Sequence, residues 1–132
     1  MYDELLEFAV GMAREAGKIQ LAYFRGDELA VRTKSNVYDV VTRADKESEE
    51  YIARVITECY PDHAILGEEG GSRGCAESDW RWVVDPLDGT TNYSQGLPVF
   101  AVSIALQHKG ETVVGVVYAP YLGELFTAVK GG

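Results

Sequence analysis

Positive charge is scarce in this chain: 12 lysines and arginines stand against 21 aspartates and glutamates, a net charge of −9 over 132 residues. Proteins that grip a nucleic-acid backbone need clustered cations to displace its counterions, so no nucleic-acid partner is expected. Long apolar runs are missing too. None approaches the ~20 residues that cross a bilayer. The N-terminus carries Asp3 and Glu4 where a secretory signal would be basic. Cysteine is limited to Cys59 and Cys75, which suit a reducing compartment; nothing beside them suggests a zinc cage or asks for a disulfide. His63 and His108 read as isolated surface or loop residues. Repeats, low-complexity tracts and linkers are absent as well, so one domain is expected. Together these absences point to a cytoplasmic protein with no membrane partner.

What is present is a foldable core, with 46% hydrophobic residues. The first helix is expected from about Asp3 to Phe24, with Leu5, Ala9, Met12, Ala13, Ala16 and Ile19 forming one buried stripe. A second should begin near Thr42, where Thr42-Arg43-Ala44-Asp45 resembles a capping box. Ile52, Val55, Ile56 and Cys59 would mark its buried side, and Pro61 stops it. Strands are expected at Val37 to Val41, Ala64 to Leu66, Arg81 to Asp85, Val99 to Gln107, Thr112 to Ala119 and Glu124 to Val129. Lys109-Gly110 and Pro120-Tyr121-Leu122-Gly123 are short enough for antiparallel hairpins. Two helices followed mostly by strands give an α+β class, helices on one face of a largely antiparallel sheet.

The chemistry concentrates in Trp82-Val83-Val84-Asp85-Pro86-Leu87-Asp88-Gly89-Thr90-Thr91-Asn92. Trp82, Val83 and Val84 favour a strand, whereas Pro86 cannot donate to a ladder and Asp88-Gly89 signals a turn, so the strand should stop near Asp85. Two carboxylates three residues apart at a breaking strand can converge on a hard cation, joined by the Leu87 carbonyl. Thr90-Thr91-Asn92 are N-cap types whose following turn would offer backbone N–H groups to an anion. The plainer alternative is a polar loop in which Asp85 caps a turn and Asp88-Gly89 is a hairpin corner. Asp39 to Asp45, Glu68-Glu69 and Asp85 to Thr90 all fall where strands give way, so they could gather at one sheet edge. For Asp45, capping a helix and acting in catalysis are compatible roles. Gly70-Gly71-Ser72-Arg73-Gly74 fits a nucleophile elbow in letters alone, since a polar loop follows where a helix must open.

Four segments, Asp39-Val40-Val41-Thr42-Arg43-Ala44-Asp45, Gly67-Glu68-Glu69-Gly70, the Trp82 to Tyr93 block and Gly96 to Ala105, resemble the inositol monophosphatase family in order and spacing. The resemblance implies the N-terminal half of a layered sugar-phosphatase sandwich, residues 1–132 being its metal-binding domain. It implies a Mg²⁺-dependent, lithium-sensitive phosphomonoesterase, acting on inositol monophosphate or another small phosphate monoester, and a homodimer at full length. By the same resemblance, Glu68, Asp85 and the Leu87 carbonyl bind one metal, and Asp85 and Asp88 a second. Asp45 and Thr90 orient and deprotonate the attacking water, with Glu68 as an alternative base. Asp88, Gly89 and Thr90 bind substrate, the last two through backbone N–H groups. Lys34, Asp39 and Glu69 match more loosely. Oxygen ligands without histidine or cysteine suit Mg²⁺, and positive charge suits a reaction in which phosphate repels hydroxide.

Family members run to roughly twice this length, and their second half carries a Trp-Asp motif that finishes the second metal position. No Trp-Asp dipeptide occurs before Gly132. A fragment or a short homologue is therefore expected, with a non-catalytic cation- or partner-binding domain as the alternative. Fructose-1,6-bisphosphatase and other sugar phosphatases share the acidic framework, as do enzymes acting on adenosine phosphosulfates. Asn92-Tyr93 after the threonines favours the inositol branch.

Overall fold

The computed structural model describes residues 2–24, 34–67, 72–75, 77–94, 97 and 99–131, with the side chains of 34–42, 72, 91 and 94 outside that description. Helix α1 (Asp3–Tyr23) buries Ala9, Met12, Ala13 and Ala16 at three- and four-residue steps. The stripe then continues to Gln20, one turn after Ala16, and Ile19 is left only partly buried. Helix α2 (Lys34–Cys59) buries Ile52, Ala53 and Ile56 against the same core.

Two expectations about α2 are corrected. It begins well before Thr42, so the strand at Val37–Val41 and the cap at Thr42 are both replaced by helix. Val37, Val41 and Ala44 also lie at i, i+4 and i+7, and a short apolar run is ambiguous between the two periods. A β-branched residue costs a helix less than about 1 kcal/mol, which tertiary context overrides. Cys59, expected on the buried side, is exposed at the helix end, as is Cys75 in its loop.

The strands β1 (Ala64–Gly67), β2 (Ser72–Gly74), β3 (Trp80–Asp88), β4 (Ala101–His108), β5 (Glu111–Ala119) and β6 (Glu124–Val129) form one sheet ordered β2-β1-β3-β4-β5-β6. Among the pairings of the described residues, β1 with β3 is parallel and the rest are antiparallel. The unforeseen β2 is a three-residue edge strand that a polar composition does not reveal, and it occupies the Ser72 of the discarded elbow pattern. Between β4 and β5, Lys109 and Gly110 take φ of 52° and 83°, the two-residue hairpin geometry that follows the sheet's twist.

Both long helices pack on one face. Trp82, Val84, Val102, Ile104, Leu106, Val114 and Val116 meet Ala9, Met12, Ala13, Ile52 and Ile56 there. A smaller cluster of Phe24, Ala44, Leu87, Tyr93 and Phe100 ties both helices to the far end of β3. Because neighbouring side chains alternate across a sheet, Asp85 belongs to the opposite face, in register with Ser103, Val117 and Phe126. Phe126 is 59% exposed on that face.

Candidate functional site

The acidic block does not end its strand at Asp85, as its composition suggests. β3 runs on to Asp88, and the break appears in the pairing: Asp85 opposes Ser103, while Asp88 opposes Ala101. Three steps on β3 thus meet two on β4, a bulge centred on Pro86 and Leu87. Proline lacks the N–H that a regular ladder would demand, so a bulge tolerates it where a central strand does not. Among the described residues, the parallel ladder to β1 ends with Gly67 opposite Val84. On the β4 side the bulge therefore lies where the backbone leaves regular pairing.

Its residues are held in different ways. The Leu87 side chain is buried in the cluster with Phe24, Tyr93 and Phe100, whereas Asp85 is half-buried and Asp88 exposed. The Gln20 side-chain amide donates from α1 to the Pro86 carbonyl. Tyr93 Oη donates back to the Gln20 carbonyl at 2.8 Å. Burial pushes the Tyr93 phenol well above its ordinary pKa, so it remains a donor.

Helix α3 (Thr90–Ser94) follows directly, its first turn closed by Tyr93 N–H donating to the Gly89 carbonyl at 3.0 Å. Gly89 has φ of +90°, and a Cβ there would stand 2.8 Å from the Val99 carbonyl oxygen. Only glycine suits that combination of left-handed backbone and close approach. Asp88, Gly89 and Asn92 border an open cleft of about 340 Å³ shared with Val99, Phe100, Ala101, Ala119 and Leu122.

Asp45 joins this end through α2. It is 6% exposed, and its neighbour Ala44 belongs to the cluster containing Leu87 and Tyr93. Since α2 begins at Lys34, Asp45 lies inside the helix and does not cap it. Asp45, Asp85, Leu87, Asp88, Gly89 and Thr90 thus collect at one end of the molecule. Glu68, Glu69 and the side chains of Lys34 and Asp39 lie outside the described residues. Among the described residues no three acidic, histidine or cysteine side chains form a metal-binding group.

Two further residues border the site without any signal in the acidic motifs. Gln20 sits at an apolar-stripe position, where a polar residue gives no hint of a buried partner. Glu49, one turn after Asp45, is 2% exposed and pairs with Arg73 Nη2 of β2 at 3.4 Å. Its carboxylate lies where a Gly67 side chain would be, 2.6 Å from the ideal Cβ position.

The histidines are not isolated, and they lie at the opposite end of β3. His63 and His108 stack on Trp80 with ring centroids 5.5 and 3.9 Å away. Trp82 Nε1 donates to His63 Nδ1 at 3.0 Å, which requires that nitrogen to be unprotonated.

As a donor set, two carboxylates and a main-chain carbonyl at a bulge fit a hard divalent cation, and they contain no soft ligand. Comparison with known proteins bears on the same residues. The chain is 53% identical over 130 residues to the Nus factor SuhB of Pasteurella multocida, covering 98% of this chain and 48% of that protein. The crystal structure of the extragenic suppressor protein suhB from Bartonella henselae matches with TM-score 0.82 and 36% identity, over 98% of this chain and 49% of that one. The inositol monophosphatase from Anabaena matches with TM-score 0.81 and 38% identity, over 97% and 44%. The chain spans about half the length of the curated relatives it matches. The family model for inositol monophosphatases fits residues 1–132, a span that contains the bulged β3, α3 and Asp45, and so the chain belongs to the inositol monophosphatase family.

Proposed function

We propose that this chain is the metal-binding half of a Mg²⁺-dependent phosphomonoesterase whose substrate is inositol monophosphate. The observation that carries this reading is the bulge at Pro86 and Leu87, which sets Asp85, the Leu87 carbonyl and Asp88 immediately before the Gly89–Thr90 turn. Glu68, Asp85 and the Leu87 carbonyl would hold one Mg²⁺, and Asp85 with Asp88 a second. Bound there, Mg²⁺ would neutralise phosphate charge and acidify water.

The remaining work falls to the chain itself. Backbone N–H groups of Gly89 and Thr90 hold phosphate oxygens, Asp88 closes the substrate side, and the left-handed Gly89 lets the main chain approach. Asp45 and the Thr90 hydroxyl orient the attacking water, and the Asp45 carboxylate takes its proton; Glu68 is the other candidate base. Water attacks phosphorus as the bond to the alcohol oxygen breaks, so no phosphoenzyme forms. Asp85 lies on the sheet face opposite α1 and α2, with the exposed Phe126. That supports a site completed from that side by sequence beyond these 132 residues.

Thr90→Ala in the complete gene product tests the assignment. Phosphate release should fall by roughly 10²- to 10³-fold with folding intact, the range for removing one group that acts on the transition state. Unchanged turnover would refute the role of Thr90.

The relatives' name supports a second reading. At 53% identity to a protein named a Nus factor, this chain shares that role, alongside or instead of hydrolysis. With a net charge of −9, such a role would run through protein contact in preference to the nucleic-acid backbone. A variant that loses phosphate release and keeps the Nus-factor role would separate the two.

A further inference from the structure

Gln20 is fully buried in helix α1, at the point where the apolar stripe of that helix reaches the end of β3. Its side-chain nitrogen donates to the Pro86 carbonyl. Its side-chain oxygen has no hydrogen-bond partner among the described residues. A buried amide with one unmet acceptor is a poor choice for packing alone, since leucine or methionine would fill the space without that penalty. The donor end has a definite task. The β4 register passes from Asp85 to Asp88, and the described part of β1 ends opposite Val84, so Pro86 has no register partner among the described residues.

The peptide plane joining Pro86 to Leu87 is rigid. Fixing its carbonyl from α1 fixes the plane from which Leu87 departs. The Leu87 side chain is fixed separately, by Phe24, Tyr93 and Phe100. With the preceding plane and the side chain both held, little freedom remains for the Leu87 carbonyl or for the step on to Asp88. Tyr93 completes the brace, because its hydroxyl binds the Gln20 carbonyl and ties α1 to the helix that opens after Gly89.

We propose that Gln20 is a positioning residue: its carboxamide holds the Pro86 peptide so that Asp85, the Leu87 carbonyl and Asp88 present their oxygens to bound Mg²⁺. The inference rests on the metal-dependent reading above and extends it to a residue outside every acidic motif.

The test compares Mg²⁺ binding by calorimetry in the complete gene product, its Gln20→Leu variant and its Tyr93→Phe variant, with melting temperatures of the metal-free proteins. Gln20→Leu keeps the bulk and removes the donor. It should weaken Mg²⁺ binding on the order of 10- to 100-fold, the usual effect of losing a group that orients a metal ligand. Turnover at saturating Mg²⁺ should be much less affected, and Tyr93→Phe should show a smaller loss in the same direction. A lowered melting temperature with unchanged Mg²⁺ affinity would reduce Gln20 to a packing role and overturn the proposal. If Gln20→Leu does not fold, Tyr93→Phe decides by the same criterion. Absence of Mg²⁺ binding in the unsubstituted protein is a separate result, and it would overturn the metal-dependent reading itself.

Discussion

A methyl group at position 89 would lie 2.8 Å from the Val99 carbonyl oxygen, on a backbone at φ of +90° that side chains rarely adopt. Gly89→Ala should therefore cost about 1–3 kcal/mol from strain alone, read as a lowered denaturation midpoint. A neutral result would mean that the turn adapts without glycine. The acidic block was legible in sequence because its chemistry is contiguous: Asp85, Leu87, Asp88 and Gly89 need only the local chain to meet. Asp45 needed the family resemblance as well, since its approach depends on Ala44 packing beside Leu87 and Tyr93. Gln20 and Glu49 were not legible. A polar residue on a helix reads as solvent-facing until tertiary contacts bury it, here against the Pro86 carbonyl and Arg73.

Among the elements, β3 does two jobs. Its first half is core, and its paired neighbour Ile104 is 1% exposed beside Trp82 and Val84. Ile104→Ala should cost about 2–5 kcal/mol, the range for such truncations, measured by denaturant unfolding. Its second half gives up regular pairing at Pro86. In sequence Pro86 signals a strand stop because a proline inside a central ladder is costly, and a bulge removes the cost without ending the strand. The start of α2 is hidden in sequence for a related reason, in that a short valine-rich run supports either period.

At the other end of β3, the aromatic stack makes a pH prediction. Burial lowers the His63 pKa below its ordinary 6.5, with Asp62 opposing in part. Below pH 6.5 the unfolded chain then binds more protons than the folded one. The His63 contribution to stability is therefore complete above 6.5 and is lost as pH falls through the lowered value. Melting temperature should decline from about pH 7 to 5, and His63→Gln, which keeps an acceptor for Trp82 Nε1, should flatten that decline. An unchanged slope would remove His63 as its source.

For the whole molecule, the two faces of the sheet differ. The helices cover one, while the other leaves Val117 39% and Phe126 59% exposed beside the register row of Asp85. Grouped apolar exposure favours association. The 132-residue chain alone should self-associate through this face, and Phe126→Lys should reduce the association seen by light scattering. A monodisperse monomer at high concentration would argue against it.

The most direct measurement is phosphate release from inositol monophosphate by the complete gene product, titrated with Mg²⁺ and repeated with Asp85→Asn. Release should require Mg²⁺, and the substitution should lower it by at least about 100-fold, with a shift to higher Mg²⁺ demand. Metal-independent release, or an Asp85→Asn protein with the same turnover and the same Mg²⁺ dependence, would contradict the assignment of the β3 bulge as the metal and phosphate site.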